Sequence, residues 1–175
     1  MMVNTDYRID AISILMREEC ILKGYYPLIP YRDTLVEKLS QMGFKRKSEV
    51  LNCTDEELLR LGLPDSGTAA LFRRFLTMYD PKPQKMREIV AVSETPAEAE
   101  SFKVMYLLPG VKSTRARLYM RAGFVSLADI AASSPEKIMA ACADVIEKER
   151  LCLKVPLMKE VRTHIAVAKA FTDAD

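Results

Sequence analysis

A Pro109-Gly110 pair set between two helical patterns constrains this chain more than any other feature. The stretch Leu107–Ile130 carries apolar residues at helical spacing on both sides of that pair, and Gly123 closes the second pattern. Glycine reaches positive φ without a Cβ clash, so the chain reverses tightly at Gly110. The next helix is then predicted to start near Ser113, with its first N–H groups pointing out of the turn. An N-terminus of that kind is a potential anion site.

The rest of the sequence reads as helix. Residues 6–23 carry a wide apolar surface through Ile9, Ile12, Met16 and Cys20, and Gly24 is placed to stop that helix. Tyr25-Tyr26-Pro27-Leu28-Ile29-Pro30-Tyr31 follows, and its prolines predict an extended connection covering the core. Further helices are predicted over 33–45, 48–51, 54–62 and 68–79, then 84–92, 96–106, 113–122, 126–132, 135–147 and after Pro156. Thr54-Asp55-Glu56-Glu57 and Thr95-Pro96-Ala97-Glu98 have the form of capping boxes. No stretch alternates apolar and polar residues over strand length, so the predicted class is all-α. Asp80-Pro81-Lys82-Pro83 breaks the pattern. It suggests an N-terminal helix plus a first helical unit over 1–80, a linker over 81–95, and a second unit over 96–175.

The two units look like copies. With a shift of eighty residues, Gly43-Phe44 falls on Gly123-Phe124, Glu49-Val50 on Asp129-Ile130, and Thr54, Glu56 and Leu58 on Ser134, Glu136 and Ile138. With a shift of ninety, Leu71 meets Val161 and Phe75 meets Ile165, so the second copy holds about ten extra residues between 141 and 150. The turn before Ser113 resembles the helix-hairpin-helix motif. The first copy, Leu35 to Leu76, resembles the carboxy-terminal domain of the bacterial RNA polymerase alpha subunit. The second is similar to an uncharacterised family of tandem helix-hairpin-helix proteins, DUF4332. The shared pattern there runs through Leu108, Gly110, Val111, Ala116, Gly123, Leu127, Pro135, Val155-Pro156, Glu160-Val161, Ile165 and Ala168-Lys169. The resemblance implies two tandem helix-hairpin-helix (SAM-like) units and carries almost no function with it.

Composition narrows the function. The net charge is only +2, so any case for nucleic acid must be local. Lys103, Lys112, Arg115, Arg117 and Arg121 supply such a run, with no acid between residues 101 and 128. Gly110, Lys112, Ser113, Thr114, Arg117 and Arg121 are therefore the candidate contacts to a phosphate backbone, DNA or RNA, by an interaction that orients without reading sequence. Relatives that bind nucleic acid usually have a second glycine where Lys112 stands, so the lysine trades close approach for a cation. Gly67, Thr68, Arg73 and Arg74 form a secondary candidate, opposed by Asp65. The alternative is a protein-interaction module that uses apolar helix faces or the tyrosine-rich segment.

Neither enzyme chemistry nor a cofactor is indicated. No Gly-rich phosphate loop of the nucleotide-binding types occurs. His164 is the sole histidine, and in the resembling family its position is commonly aromatic, which suggests packing. Cys20, Cys53, Cys142 and Cys152 are too scattered for a metal site and read as reduced thiols. With no apolar run long enough to span a bilayer and no secretory pattern at the start, the expectation is a cytoplasmic, non-membrane protein.

Overall fold

A computed structural model describes residues 3–173. Among them the chain forms twelve α-helices and one 3₁₀ helix, and no strand beyond an isolated bridge between Arg8 and Arg46. The helices are α1 (Asp10–Leu15), α2 (Glu19–Leu22), α3 (Arg32–Gln41), α4 (Lys47–Leu51), α5 (Asp55–Leu59), α6 (Ser66–Thr77), α7 (Pro83–Val92), α8 (Pro96–Met105), α9 (Ser113–Arg121), α10 (Leu127–Ala131), α11 (Pro135–Lys148) and α12 (Met158–Thr172). The protein is all-α.

One helix sits at the centre. α12 buries Val161, Thr163, His164 and Ile165 and then Ala166, Val167, Ala168, Ala170 and Phe171, so it is covered on nearly every side. A helix apolar around most of its circumference must be wrapped by neighbours, and α1, α2, α10 and α11 all pack on it. The buried residues of both halves form one continuous core, from Tyr7 and Ile12 through Leu35, Phe72 and Phe75 to Phe102, Tyr119 and Ile138. α7 lies within the predicted linker and packs on α8.

Two sequence expectations near the amino terminus fail, each for a hydrogen-bonding reason. The predicted helix over 6–23 is broken. Ile9 N–H donates to the Lys45 carbonyl at 3.0 Å and Lys47 N–H to the Tyr7 carbonyl at 3.1 Å, so residues 7–9 bridge to the start of α4 and cannot also be helical. Asp6 adds to this tie by accepting from the backbone N–H and hydroxyl of Ser48 at 2.9 and 2.8 Å. A second break falls at Glu18, whose extended backbone separates α1 from α2. The segment read as an extended connection is instead a 3₁₀ helix, Tyr26–Tyr31. Pro27 fits its first turn, where a missing N–H costs nothing. Tyr25 packs edge-on against Phe75 at 5.4 Å, while Tyr26 is exposed.

The same set of local devices recurs eighty residues apart. Gly43 and Gly123 both adopt left-handed φ, +84° and +97°. The following residue donates back to the helix in each case, Phe44 to Leu39 at 3.1 Å and Phe124 to Tyr119 at 2.9 Å, the pattern of a Schellman cap. Glu49 accepts from the N–H groups of Lys45 and Arg46, and Asp129 from those of Val125 and Ser126. The Thr54 hydroxyl caps α5 by accepting from Glu57 N–H, and Ser134 caps α11 by accepting from Lys137 N–H. α11 has fourteen residues against five in α5.

Candidate nucleic-acid interface

The turn between α8 and α9 is fixed from below by α12. Gly110 takes φ +70°, with no atom within 4 Å of where a Cβ would stand, so conformation and not crowding requires glycine. His164 Nε2–H donates to the Pro109 carbonyl at 2.8 Å, and Nδ1 accepts from the Tyr119 hydroxyl at 2.6 Å. Both nitrogens are used, in the neutral tautomer that suits a carbonyl on one side and a hydroxyl on the other. Burial pushes the imidazole down to about 4, only partly opposed by the Pro109 hydrogen bond. The only histidine is thus the pin that holds the turn against the core.

Above this pin, the N-terminus of α9 is open. Lys112 is its N-cap residue and offers no side-chain acceptor to the first turn. Ala116 N–H is the first to be satisfied by the helix, donating to the Lys112 carbonyl at 2.9 Å. The N–H groups of Ser113, Thr114 and Arg115 therefore face away without a capping side chain. This contrasts with α5, α8, α10 and α11, each capped by a Thr or Ser hydroxyl. A cleft of about 270 Å³ opens at this terminus, lined by Gly110, Lys112, Thr114, Arg115 and Lys154. Leu118 and Leu153 add apolar lining.

The basic run is largely neutralised in space. Arg117 Nε donates to Glu98 Oε1 at 2.7 Å and Nη2 reaches Oε2 at 3.4 Å, a two-point grip. The same Nη2 donates to the Val92 carbonyl at 2.8 Å, and the guanidinium lies 5.3 Å from the centre of the Phe102 ring. Arg117 thus ties the end of α7 and the start of α8 to α9. The pair's hydrogen bonding holds the Glu98 carboxyl below the usual carboxylate range. Arg121 pairs with Glu149 at 3.0 Å, Lys103 with Glu100, and Arg115 with Glu160 at a looser 3.8 Å. Of the five cations in the run, Lys112 alone has no carboxylate partner among the described residues. Lys154, from the stretch after α11, joins it at the cleft, exposed and equally unpaired.

Arg117 and Arg121 are therefore placed as structural ion pairs, while Gly110, Lys112, Ser113 and Thr114 are brought together. Arg115 and Lys154 complete the cleft. Nothing local in sequence links Lys154 to the turn, because its proximity arises only when the segment before α12 folds back across α9.

The secondary candidate is closed by its own cap. Asp65 Oδ1 accepts from both the backbone N–H and the hydroxyl of Thr68, at 2.8 and 2.9 Å. Those bonds hold the Asp65 carboxyl below the usual range, so an anion already occupies the N-terminus of α6. Arg73 is spent on the Cys53 carbonyl and Asp55, both at 2.8 Å. Arg74 is exposed.

Cys53 and Cys142 are buried, and burial raises both thiols, Cys142 to about 11. Among the described residues, no three His, Cys, Asp or Glu side chains converge as a metal site would require. No described helix is long and apolar enough to cross a membrane.

Residues 103–171 match the model of a family described as a domain of unknown function (DUF4332). No curated protein and no solved structure matches the chain. The likeness of residues 35–76 to the RNA polymerase alpha subunit domain thus rests on sequence motifs alone.

Proposed function

We propose that the chain comprises two tandem helix-hairpin-helix units, and that the second binds nucleic-acid backbone weakly and without sequence preference. The recurrence of glycine turns and caps at a spacing of eighty residues supports the duplication. The observation that carries the binding role is the pairing of an uncapped helix terminus with a lysine that has no carboxylate partner among the described residues, at the start of α9. Free N–H groups and a cation on one small surface suit a phosphate, which offers acceptor oxygens and negative charge together. The first unit lacks this arrangement: Asp33 stands in the first turn of α3, paired with Arg17, and Asp65 fills the start of α6. In this reading the protein is not an enzyme, and it works through one phosphate-contacting hairpin.

Titration of a labelled oligonucleotide against salt tests the proposal. Lys112, Arg115 and Lys154 would give two to three phosphate contacts. Affinity should then fall by roughly 2 log units per log unit of salt, at about 0.7–0.9 for each contact. An affinity that ignores salt would count against phosphate contacts.

A second reading, a protein-interaction surface, draws on a different region. A groove of about 790 Å³ is lined in part by Val104, Val125, Leu127 and Phe171, with Val125 half exposed. Recovery of a stable protein partner that is lost on Val125→Asp, with no nucleic acid carried along, would favour it.

A further inference from the structure

We infer that the protein opens along one seam: α12 parts from α1 and α2, and the chain turns about Pro81-Lys82. This opening goes beyond the nucleic-acid reading and does not depend on it.

The helices fall into two sets joined through few partners. In the first half, residues 3–80, α3 packs on α1 and on the 3₁₀ helix, while α6 packs on the 3₁₀ helix, α4 and α5. In the second half α10 and α11 pack on α12, α9 on α8 and α11, and α7 on α8. The close helix contacts between the two sets are those of α1 and α2 with α12. The Tyr7 ring adds to them, its centre 6.1 Å from that of Phe171.

The amino-terminal segment is held to the first half. Ile9 and Lys47 exchange backbone hydrogen bonds with Lys45 and Tyr7, and the Asp6 carboxylate accepts from Ser48. The Tyr7 hydroxyl donates to the Leu76 carbonyl at 3.4 Å, and Arg17 pairs with Asp33 at 2.7 Å. Polar contacts across the seam are weaker. The Cys20 thiol donates to the Lys159 carbonyl at 3.8 Å, and Lys159 meets Glu19 at 3.8 Å with both side chains more than half exposed. An exposed pair of that kind contributes little. The seam is also thinly filled. Clefts of about 330 and 310 Å³ lie along it, sharing Ile14, Ala166 and Lys169, and Ala11 and Ala170 line the first. Helices keep their backbone hydrogen bonds when they separate, so parting costs apolar burial and orphans no peptide group.

The covalent link between the halves suits a hinge. Lys47 donates to Asp80 and fixes the last residue of the first half. Pro81 and Lys82 are exposed and belong to no helix, and α7 begins at Pro83. An internal interface crossed once by the backbone and held mainly by apolar contact is the low-stability part of such a chain, and it opens before either half unfolds.

Thiol labelling of the full chain carrying Ala166→Cys, read for each cysteine by mass spectrometry at rising low concentrations of urea, tests the opening. Ala166 is buried at the seam, while Cys53 and Cys142, buried in the first and second halves, are internal references. The exposed Cys152 confirms that the reagent is active. Position 166 should be labelled at least about tenfold faster than either reference, at a rate that rises with urea less steeply than global unfolding does. Labelling no faster than Cys53 or Cys142 would mean that the seam parts only when a half unfolds. A fast rate indifferent to urea would mean that the reagent reaches the closed protein. Either result would overturn the inference. Ala170→Cys, on the same face of α12, repeats the measurement if circular dichroism shows the first variant to be misfolded.

Discussion

Replacing His164 with Phe should remove a specific pH dependence of stability, because the wild-type imidazole is held neutral inside the fold. Its ordinary value of 6.5 is pushed to about 4 by burial. The unfolded chain therefore binds a proton between those values that the folded chain refuses, and stability rises with pH across the window. The contribution is fully present above about pH 6.5, is lost as pH falls toward 4, and levels off below that. A separation of about 2.5 units corresponds to roughly 3 kcal/mol in all, of which about 2 kcal/mol is lost between pH 7.5 and pH 5. Carboxylates with lowered values, such as Glu98 and Asp65, change mainly below that interval and are common to both proteins. At pH 7.5 the Phe variant should itself be less stable by about 2–4 kcal/mol, since the Tyr119 hydroxyl and the Pro109 carbonyl lose their partner. Urea unfolding at half-unit pH steps measures both effects. The wild type should lose about 2 kcal/mol more than the variant between pH 7.5 and 5. Parallel loss in the two proteins would refute the neutral, doubly bonded imidazole and with it the account of how the turn is held.

Three other substitutions test separate parts of the structure. Gly110→Ala should cost about 1–2 kcal/mol in chemical denaturation, the price of a Cβ in left-handed φ, because the space around it is open; a much larger cost would mean a hidden clash. Lys47→Ala should cost about 3 kcal/mol. The buried amine donates to the Leu76 carbonyl and to Asp80, and lies 4.9 Å from the centre of the Tyr7 ring. Asp65→Ala should lower the denaturation midpoint by uncapping α6 and should raise affinity for oligonucleotide by freeing a second helix terminus. Unchanged affinity would show that a free terminus alone attracts no phosphate here.

Much of the fold could be read from the residues because its signals are local. Gly43, Gly123, Thr54 and Ser134 each specify a turn or cap through a few neighbouring atoms, and the structure uses each of them that way. The break in the first helix could not be read so, since it depends on a bridge to Lys45 and Lys47 some forty residues on. The tyrosine segment misled because two prolines suit a 3₁₀ turn as well as an extended connection. At the hairpin, sequence located the turn and the open terminus but overstated the charge. A run free of acids along the chain is surrounded by Glu94, Glu98, Glu149 and Glu160 once α7, α8, α11 and α12 close around α9. What survives is one lysine of the run, supplemented by Lys154 from a segment that sequence spacing gave no reason to connect.

The most direct measurement is therefore the affinity of labelled single-stranded and duplex DNA, at low salt, for four proteins: wild type, Lys112→Ala, Lys154→Ala and Arg121→Ala. All three substitutions remove one positive charge from an exposed side chain, so a generic loss of charge would affect them equally. Lys112→Ala and Lys154→Ala should each weaken binding about three- to tenfold, the worth of one charge-assisted contact at a partly exposed site. Arg121→Ala should leave it unchanged, because that guanidinium already pairs with Glu149. Absence of binding by the wild type, or equal losses in all three variants, would contradict a phosphate site at the start of α9.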